Sequence, residues 1–224
     1  MKGSFKSAVN TLNALLEIKG GGSRTAPTKH PNLNIYILTV ISKWNIKDLK
    51  TLSDFVIYKL GIPITFEFAR GQGLFQNNTL ISQNYAPAIP EETLLTVPEM
   101  VQGYKIVEEI YAIQKREMKI DLNLSLLGLQ KAIEVVKNNH KVVNCIAGNV
   151  AGVMYADGEV SGCELIKFNA NIREFELDFY KLWQSEKFQD FRKRINNCYC
   201  ILGCFLQASL QNSLKYGIFY HSRP

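Results

Sequence analysis

The apolar residues among the first 70 positions predict helices and strands in alternation. They recur at helical spacing over residues 4–18, and they are β-branched and almost continuous over residues 32–42. The continuous run predicts a strand buried on both faces of a parallel sheet. A second helix follows, with Asn45 as its N-cap and Gly61 as its C-terminal cap glycine, and residues 64–70 alternate as a further strand. This order is typical of an α/β fold.

The middle of the chain combines one polar stretch with two helical patterns. Residues 71–95 are rich in Gly, Asn, Gln and Pro, which predicts a long loop. Helical patterns follow over residues 97–119 and 125–139, and Thr96, with Pro98 behind it, fits the start of the first helix. We therefore expect this part of the chain to be mainly helical.

The pattern changes again in the last third of the chain. Residues 141–145 (KVVNC) predict a short strand, and residues 149–163 predict a β-hairpin with Asp157-Gly158 as its two-residue turn. A helix is predicted over about residues 185–196. We therefore expect a domain boundary near residue 140.

The two predicted domains differ in class. Residues 1–140 form the α/β part, and residues 141–224 form a small α+β domain made of the hairpin and a helix. A chain of 224 residues with 46% hydrophobic content is long and apolar enough to bury a core.

Charge and hydropathy narrow the classes of function. The net charge is +6, but Lys and Arg are scattered, so no nucleic-acid partner is predicted. No apolar run reaches the roughly 18 residues of a membrane span, and the N-terminal stretch lacks a small-residue cleavage site. We expect a cytoplasmic protein without membrane contact. The five cysteines are an odd number, and in a cytosol reduced thiols are expected rather than disulfides.

The placement of the cysteines is the strongest chemical signal. All of them lie within residues 145–204: Cys145 and Cys163 flank the predicted hairpin, and Cys198, Cys200 and Cys204 stand on a loop leading into a helix. Four thiolates complete the ligand set of a [4Fe–4S] cluster and equally of a structural zinc site, and spacing alone does not separate the two. The remaining alternative is a set of unrelated buried cysteines, because free cysteine is common in protein cores.

This arrangement resembles the SPASM or twitch extension of radical S-adenosylmethionine (radical SAM) enzymes. The spacing Cys145, twelve residues, Gly158, four residues, Cys163 fits the first half of the family pattern, and DGEVSGC, NIREF, LWQSEKFQDFRKRI and CYCILGC occur in the family's order over residues 141–207. The second half has three cysteines where the full SPASM pattern has four, so the resemblance is to the single-cluster, twitch-like form. The resemblance implies Cys145, Cys163 and Cys204 as the first ligands.

The fourth ligand implied by the resemblance is Cys200 or Cys198, and the choice between them stays open. The cluster would be an auxiliary one, which in this family holds substrate or passes electrons.

The N-terminal part carries a second resemblance. Residues 32–71 are similar to the fifth strand, fifth helix and sixth strand of the radical SAM partial (β/α)6 barrel, and the helix at residues 4–18 would be the fourth helix. Residues at the ends of such strands line the cofactor and substrate cavity. In this chain the residues at these places are Thr39, Ser42, Asn45 and Arg70, and the resemblance implies that they bind cofactor. The alternatives are that Asn45 caps a helix and that Arg70 is a salt-bridged surface residue.

One family motif is absent from the sequence. The Cys-x3-Cys-x2-Cys loop that binds the SAM-cleaving cluster does not occur, and the chain is expected to begin at the fourth helix of the barrel. The resemblance therefore implies an iron–sulfur portion of a peptide- or protein-modifying radical SAM enzyme. Such a portion would be inactive alone or dependent on a partner chain that carries the missing half, and SAM would bind only with that half.

The alternative is a non-catalytic zinc- or iron–sulfur-binding interaction module. In the fragment interpretation, two strands without neighbours leave unpaired edges, so we expect a partner or poor solubility.

Overall fold

A computed structural model describes residues 4–20, 32–70, 91–166, 170–195 and 198–216, and over these the chain is a mixed α/β protein. The predicted first helix is confirmed as α1 (Ser4–Gly20). It is followed by β1 (Ile37–Ile41), by α2 (Leu49–Asp54), which continues as a π-helical stretch over Phe55–Leu60, and by β2 (Ile64–Phe68). Most of the predicted loop, residues 71–90, lies outside the described residues.

The two strands confirm the predicted parallel arrangement. β1 pairs with β2 in parallel, with Ile37 opposite Ile64 and Ile41 opposite Phe68. The connecting helix ends at Gly61, which has a φ of 64° and so serves as the predicted C-terminal cap. This strand–helix–strand unit places the carboxyl ends of both strands at one edge of the sheet.

The expectation that the first strand is buried on both faces is wrong. Side chains alternate between the faces of a strand, and Ile41 is fully buried whereas Leu38 is 54% and Val40 45% exposed. The buried face packs on α2 and on the helices that follow. Leu38 and Val40 lie on the opposite face, which the described residues cover only in part, so this apolar stretch is fully buried on one face alone.

Asn45 does not cap α2, contrary to expectation. The helix begins at Leu49 with Asp48 as its N-cap. The Asn45 carboxamide instead closes the turn after β1: its oxygen accepts the backbone N–H of Ser42 at 2.9 Å, and its nitrogen donates to the Val40 carbonyl at 2.8 Å. A short polar side chain that bonds to nearby backbone in this way stabilises a turn rather than a helix.

The two predicted middle helices are confirmed as α3 (Val97–Met118) and α4 (Asn123–Asn138). Thr96 caps α3 as expected, and its backbone N–H donates to Glu99 Oε2 at 2.7 Å. α3 also closes the outer edge of β2. Gln114 Nε2 donates to the Ile64 carbonyl and its Oε1 accepts the Ile64 N–H, both at 2.9 Å.

The predicted hairpin is confirmed, with a longer turn than expected. β3 (Val153–Met154) pairs antiparallel with β4 (Val160–Ser161). The Tyr155 N–H donates to the Glu159 carbonyl at 2.8 Å, which leaves a three-residue loop that ends in Gly158 with a φ of 87°. Such a loop needs a glycine in the left-handed region at this place.

Residues 141–145 do not form the predicted strand and are irregular. Val142 and Val143 pack against the apolar side chains of the α/β part, so they are partly buried without pairing in a strand. Three helices complete the chain: α5 (Phe179–Gln184), α6 (Glu186–Ile195) and α7 (Gly203–Tyr216). α6 confirms the helix predicted over residues 185–196.

The buried apolar residues form two clusters. One contains β1, β2 and the helices up to α4, and the other contains the hairpin, α5 and α6. α7 joins them, because Leu206 and Leu210 belong to the first cluster whereas Phe205 belongs to the second. The described residues include no helix that is long and apolar enough to cross a membrane.

Candidate metal centre

Four of the five cysteines line a single cavity, which we call the cysteine cavity. Its thiols belong to Cys145, Cys163, Cys198 and Cys200, and it encloses about 320 Å³ of empty space, part of it open to solvent. Apolar side chains such as Ile166, Ile195 and Phe205 complete the lining. Residues 55 positions apart in the sequence thus meet at one place.

Three separate segments of the chain bring these thiols together. Cys145 follows α4, Cys163 follows β4, and Cys198 and Cys200 lie on the irregular segment between α6 and α7. Close packing of α6 on the hairpin fixes the position of the segment that carries Cys163. Gly162 lies directly against the Phe191 ring, where a larger side chain would clash. The fold therefore holds Cys163 through its neighbour Gly162.

A buried serine shapes the turn that carries Cys163. The Ser161 hydroxyl, on a residue 1% exposed, lies 2.8 Å from the Cys163 carbonyl and 2.9 Å from the Ile166 carbonyl, and its oxygen accepts the Cys163 N–H at 3.3 Å. The turn also directs the Leu165 N–H at Cys163 Sγ, at 3.5 Å. The sulfur is therefore held in contact with a backbone donor.

The same donor pattern recurs at two other thiols of the cavity. The backbone N–H of Ala147 bonds to Cys145, and that of Leu202 bonds to Cys200, so each of these sulfurs accepts from the residue two positions later, as Cys163 does. Hydrogen bonds to the charged form of a group favour that form. The backbone is thus arranged to stabilise thiolates at three of the four positions.

Burial and the closeness of the thiols to one another raise their pKa values and so oppose this stabilisation of the thiolates. Burial raises the pKa of Cys163 to about 12, and the neighbouring Cys145 and Cys198 add to the rise. Burial also raises the pKa of Cys200 well above its ordinary value, with further contributions from the other thiols of the cavity. Four thiolates in this space would repel one another, so the charged form needs a bound cation or cationic cluster.

A second cavity adjoins the first and shares three of its cysteines. It encloses about 330 Å³ of empty space and is lined by Cys145, Cys198 and Cys200 together with side chains of α4 and α7, among them Ser209. The Ser209 oxygen accepts the Ile146 N–H at 3.2 Å. Nothing in the sequence pointed to Ser209, because its role depends on how α7 packs on a distant segment.

The fifth cysteine lies elsewhere. Cys204 is exposed and sits in the first turn of α7. Its charged neighbours are Glu164, Arg70 and Glu67, and burial followed by the Glu164 carboxylate raises its pKa. The structure therefore does not bring Cys204 together with the other four cysteines, although the resemblance implied it as one of the first ligands.

The residues implied as cofactor-binding do not line the cysteine cavity. Thr39 lies on the same strand face as Ile41, which is the buried face. Ser42 is buried and bonded to Asn45 in the turn after β1. Arg70 follows β2, and its Nη1 lies 3.3 Å from Glu164 Oε1, which agrees with the salt-bridged alternative.

Within the described residues, no three side chains of Cys, His, Asp or Glu stand close enough to hold a single metal ion as they are. No protein-family model matches the chain, and no curated protein or solved structure is significantly similar to it.

Proposed function

We propose that the chain binds a [4Fe–4S] cluster through Cys145, Cys163, Cys198 and Cys200. The observation that carries this proposal is the meeting of four thiols from three segments around one cavity. Four cysteine thiolates are the usual ligand set of such a cluster. The choice among the ligands differs from the one implied by the resemblance, because it takes both Cys198 and Cys200 and omits the exposed Cys204.

The surroundings of the thiols fit this ligand set. Backbone N–H groups at Cys145, Cys163 and Cys200 favour thiolates, and Lys141 adds a positive charge near Cys145. A bound cluster supplies one-electron redox chemistry, with a potential that depends on hydrogen bonds to sulfur and on solvent exposure. The protein's own part is to hold four sulfurs at one place, to direct donors at them and to surround them with apolar side chains.

We further propose that this cluster is the auxiliary cluster of a radical SAM protein of the peptide- or protein-modifying type, located in the cytoplasm. Two features support the family assignment: the Cys145, Gly158 and Cys163 spacing, and the parallel β1–β2 unit in front of it. In this proposal β1 and β2 are two strands of a partial (β/α)6 barrel. SAM and a peptide or protein substrate would bind only with a partner chain that carries the missing half.

The partly exposed face of β1 supports the need for a partner. Leu38 and Val40 remain 54% and 45% exposed on β1. Parallel sheets are ordinarily covered on both faces. The outer edge of β2 is already bonded to Gln114, so a partner chain that completed the barrel would pair at the edge of β1 and pack its own side chains against this face.

A structural zinc site is the second candidate, because four buried cysteines also complete a closed zinc site. Purification without oxygen, followed by a visible spectrum and assays of iron, sulfide and zinc, separates the two. We expect a brown protein with about four irons and four sulfides per chain. A colourless protein with one zinc would contradict the cluster and favour the non-catalytic interaction module.

A further inference from the structure

A buried hydroxyl group lies beside the cysteine cavity. Ser209 is 1% exposed in the middle of α7 and lines the second cavity together with Cys145 and Cys200. Its Oγ accepts the backbone N–H of Ile146 at 3.2 Å. A serine hydroxyl has two acceptor lone pairs and one donor, so the O–H remains free to donate elsewhere.

The thiol of Cys145, the residue before Ile146, is the partner of this donor. The Ser209 side chain hydrogen-bonds to Cys145, and both residues line the second cavity. Serine hydroxyls within helices often donate to the carbonyl four residues earlier, as Ser53 does to Leu49 at 2.7 Å. Ser209 instead connects α7 to the segment of Cys145 and Ile146, 63 residues away along the chain.

We propose that Ser209 is a positioning residue that holds Cys145 in place and raises the reduction potential of the cluster by donating a hydrogen bond to the Cys145 sulfur. The inference rests on the proposed function, since it requires a cluster bound through Cys145. Reduction adds one electron and therefore negative charge to the cluster and its sulfur ligands. An O–H donor stabilises the reduced form more than the oxidised form, and no covalent bond forms or breaks.

The same helix offers a matched control. Ser213 lies one turn beyond Ser209 and is 5% exposed, so its hydroxyl is comparably buried. It does not line either of the two cavities in the described part of the chain. A general loss of helix packing would affect both positions, whereas loss of the bond to sulfur would affect Ser209 alone.

The test is a redox titration of the anaerobically reconstituted full chain, with the midpoint potential read from the visible or electron paramagnetic resonance signal. We expect Ser209→Ala to shift the potential to more negative values, while Ser213→Ala and Ser209→Thr, which keeps the hydroxyl, titrate like the wild type. Loss of iron in Ser209→Ala alone, with full iron in the other two variants, would support the positioning role.

Three results would overturn the inference. The first is Ser209→Ala with full iron and an unchanged potential, and the second is an equal shift in Ser213→Ala. The third is loss of iron in Ser209→Thr as well as in Ser209→Ala, because the hydroxyl would then not be the group that matters. If the wild type itself holds no iron, the proposed function fails together with this inference, and the iron assay identifies that case.

Discussion

Arg70 and Glu164 form an ion pair that joins the two parts of the chain, with 3.3 Å between Arg70 Nη1 and Glu164 Oε1. Arg70 follows β2, and Glu164 is the residue after Cys163. The pair therefore connects the end of the parallel sheet with the turn that carries one of the proposed ligands. Both side chains are partly exposed, at 29% and 41%.

Replacement of Arg70 tests whether this residue binds a cofactor or only pairs with Glu164. Because exposed ion pairs contribute at most about 1 kcal/mol, we expect Arg70→Ala to lower the free energy of unfolding by no more than that. We also expect the iron content to be unchanged. Denaturant unfolding and an iron assay measure the two effects. Loss of most of the iron in this variant would give Arg70 a role in binding that the ion pair does not explain.

Replacement of Gln114 tests the closure of the β2 edge. This side chain is fully buried and bonds to both backbone groups of Ile64 at 2.9 Å. Gln114→Leu would leave a buried N–H and a buried C=O without partners, so we expect a loss of roughly 2–5 kcal/mol.

The exposed Gln102 on the same helix provides the control for this variant. Gln102→Leu should change the free energy of unfolding by less than about 0.5 kcal/mol. Equal effects of the two substitutions would show that the bonds to Ile64 do not stabilise the fold.

Tyr111 makes the α/β part sensitive to alkaline pH. Burial raises its pKa above the ordinary 10.0 against the opposing bonds from Ser125 and the Phe66 N–H. The folded state therefore holds the phenolic proton more tightly than the unfolded state, and its contribution to stability is complete below pH 10.0 and lost as pH rises above that value.

Denaturant unfolding at a series of pH values from neutral to above 10.0 measures this contribution. We expect the loss of stability above that pH to be smaller in Tyr111→Phe, which has no proton to release at this position. A variant whose stability falls as steeply as that of the wild type would exclude Tyr111 as the cause.

The partly exposed apolar face of β1 predicts association of the isolated chain. Its apolar side chains include Leu38 and Val40, and charged residues on exposed strands normally oppose such association. We expect sedimentation velocity to detect concentration-dependent association of the wild type and less of it in Val40→Lys. Val101→Lys, at a 38% exposed valine on α3, is the control for added charge. A wild-type chain that stays monomeric at high concentration would contradict the prediction.

Local sequence signals predicted most of the regular structure. The apolar periods identified the strand–helix–strand unit, and Gly61, Thr96 and the Asp157-Gly158 turn lie where the backbone requires them. These signals work because each depends on residues close together in the sequence. The exposure of Leu38 could not be predicted in this way, because an apolar run does not indicate which other parts of the protein cover each face of a strand.

The composition of the candidate site was harder to predict than its location. Spacing indicated that the cysteines gather, but it does not give the direction of a side chain. α7 begins at Gly203, so Cys204 is placed on the helix, while Cys198 and Cys200 stay on the segment before it. Ser209 could not be predicted either, because its contact with Cys145 and Ile146 depends on packing between distant segments.

The central claim is that four cysteines, and not Cys204, hold a cluster, and iron and sulfide content after anaerobic reconstitution tests it most directly. The wild type and five single Cys→Ala variants would be compared. We expect about four irons per chain in the wild type and in Cys204→Ala, with most of the iron lost when Cys145, Cys163, Cys198 or Cys200 is replaced. Loss of iron in Cys204→Ala, with full iron in any of the other four variants, would contradict the account.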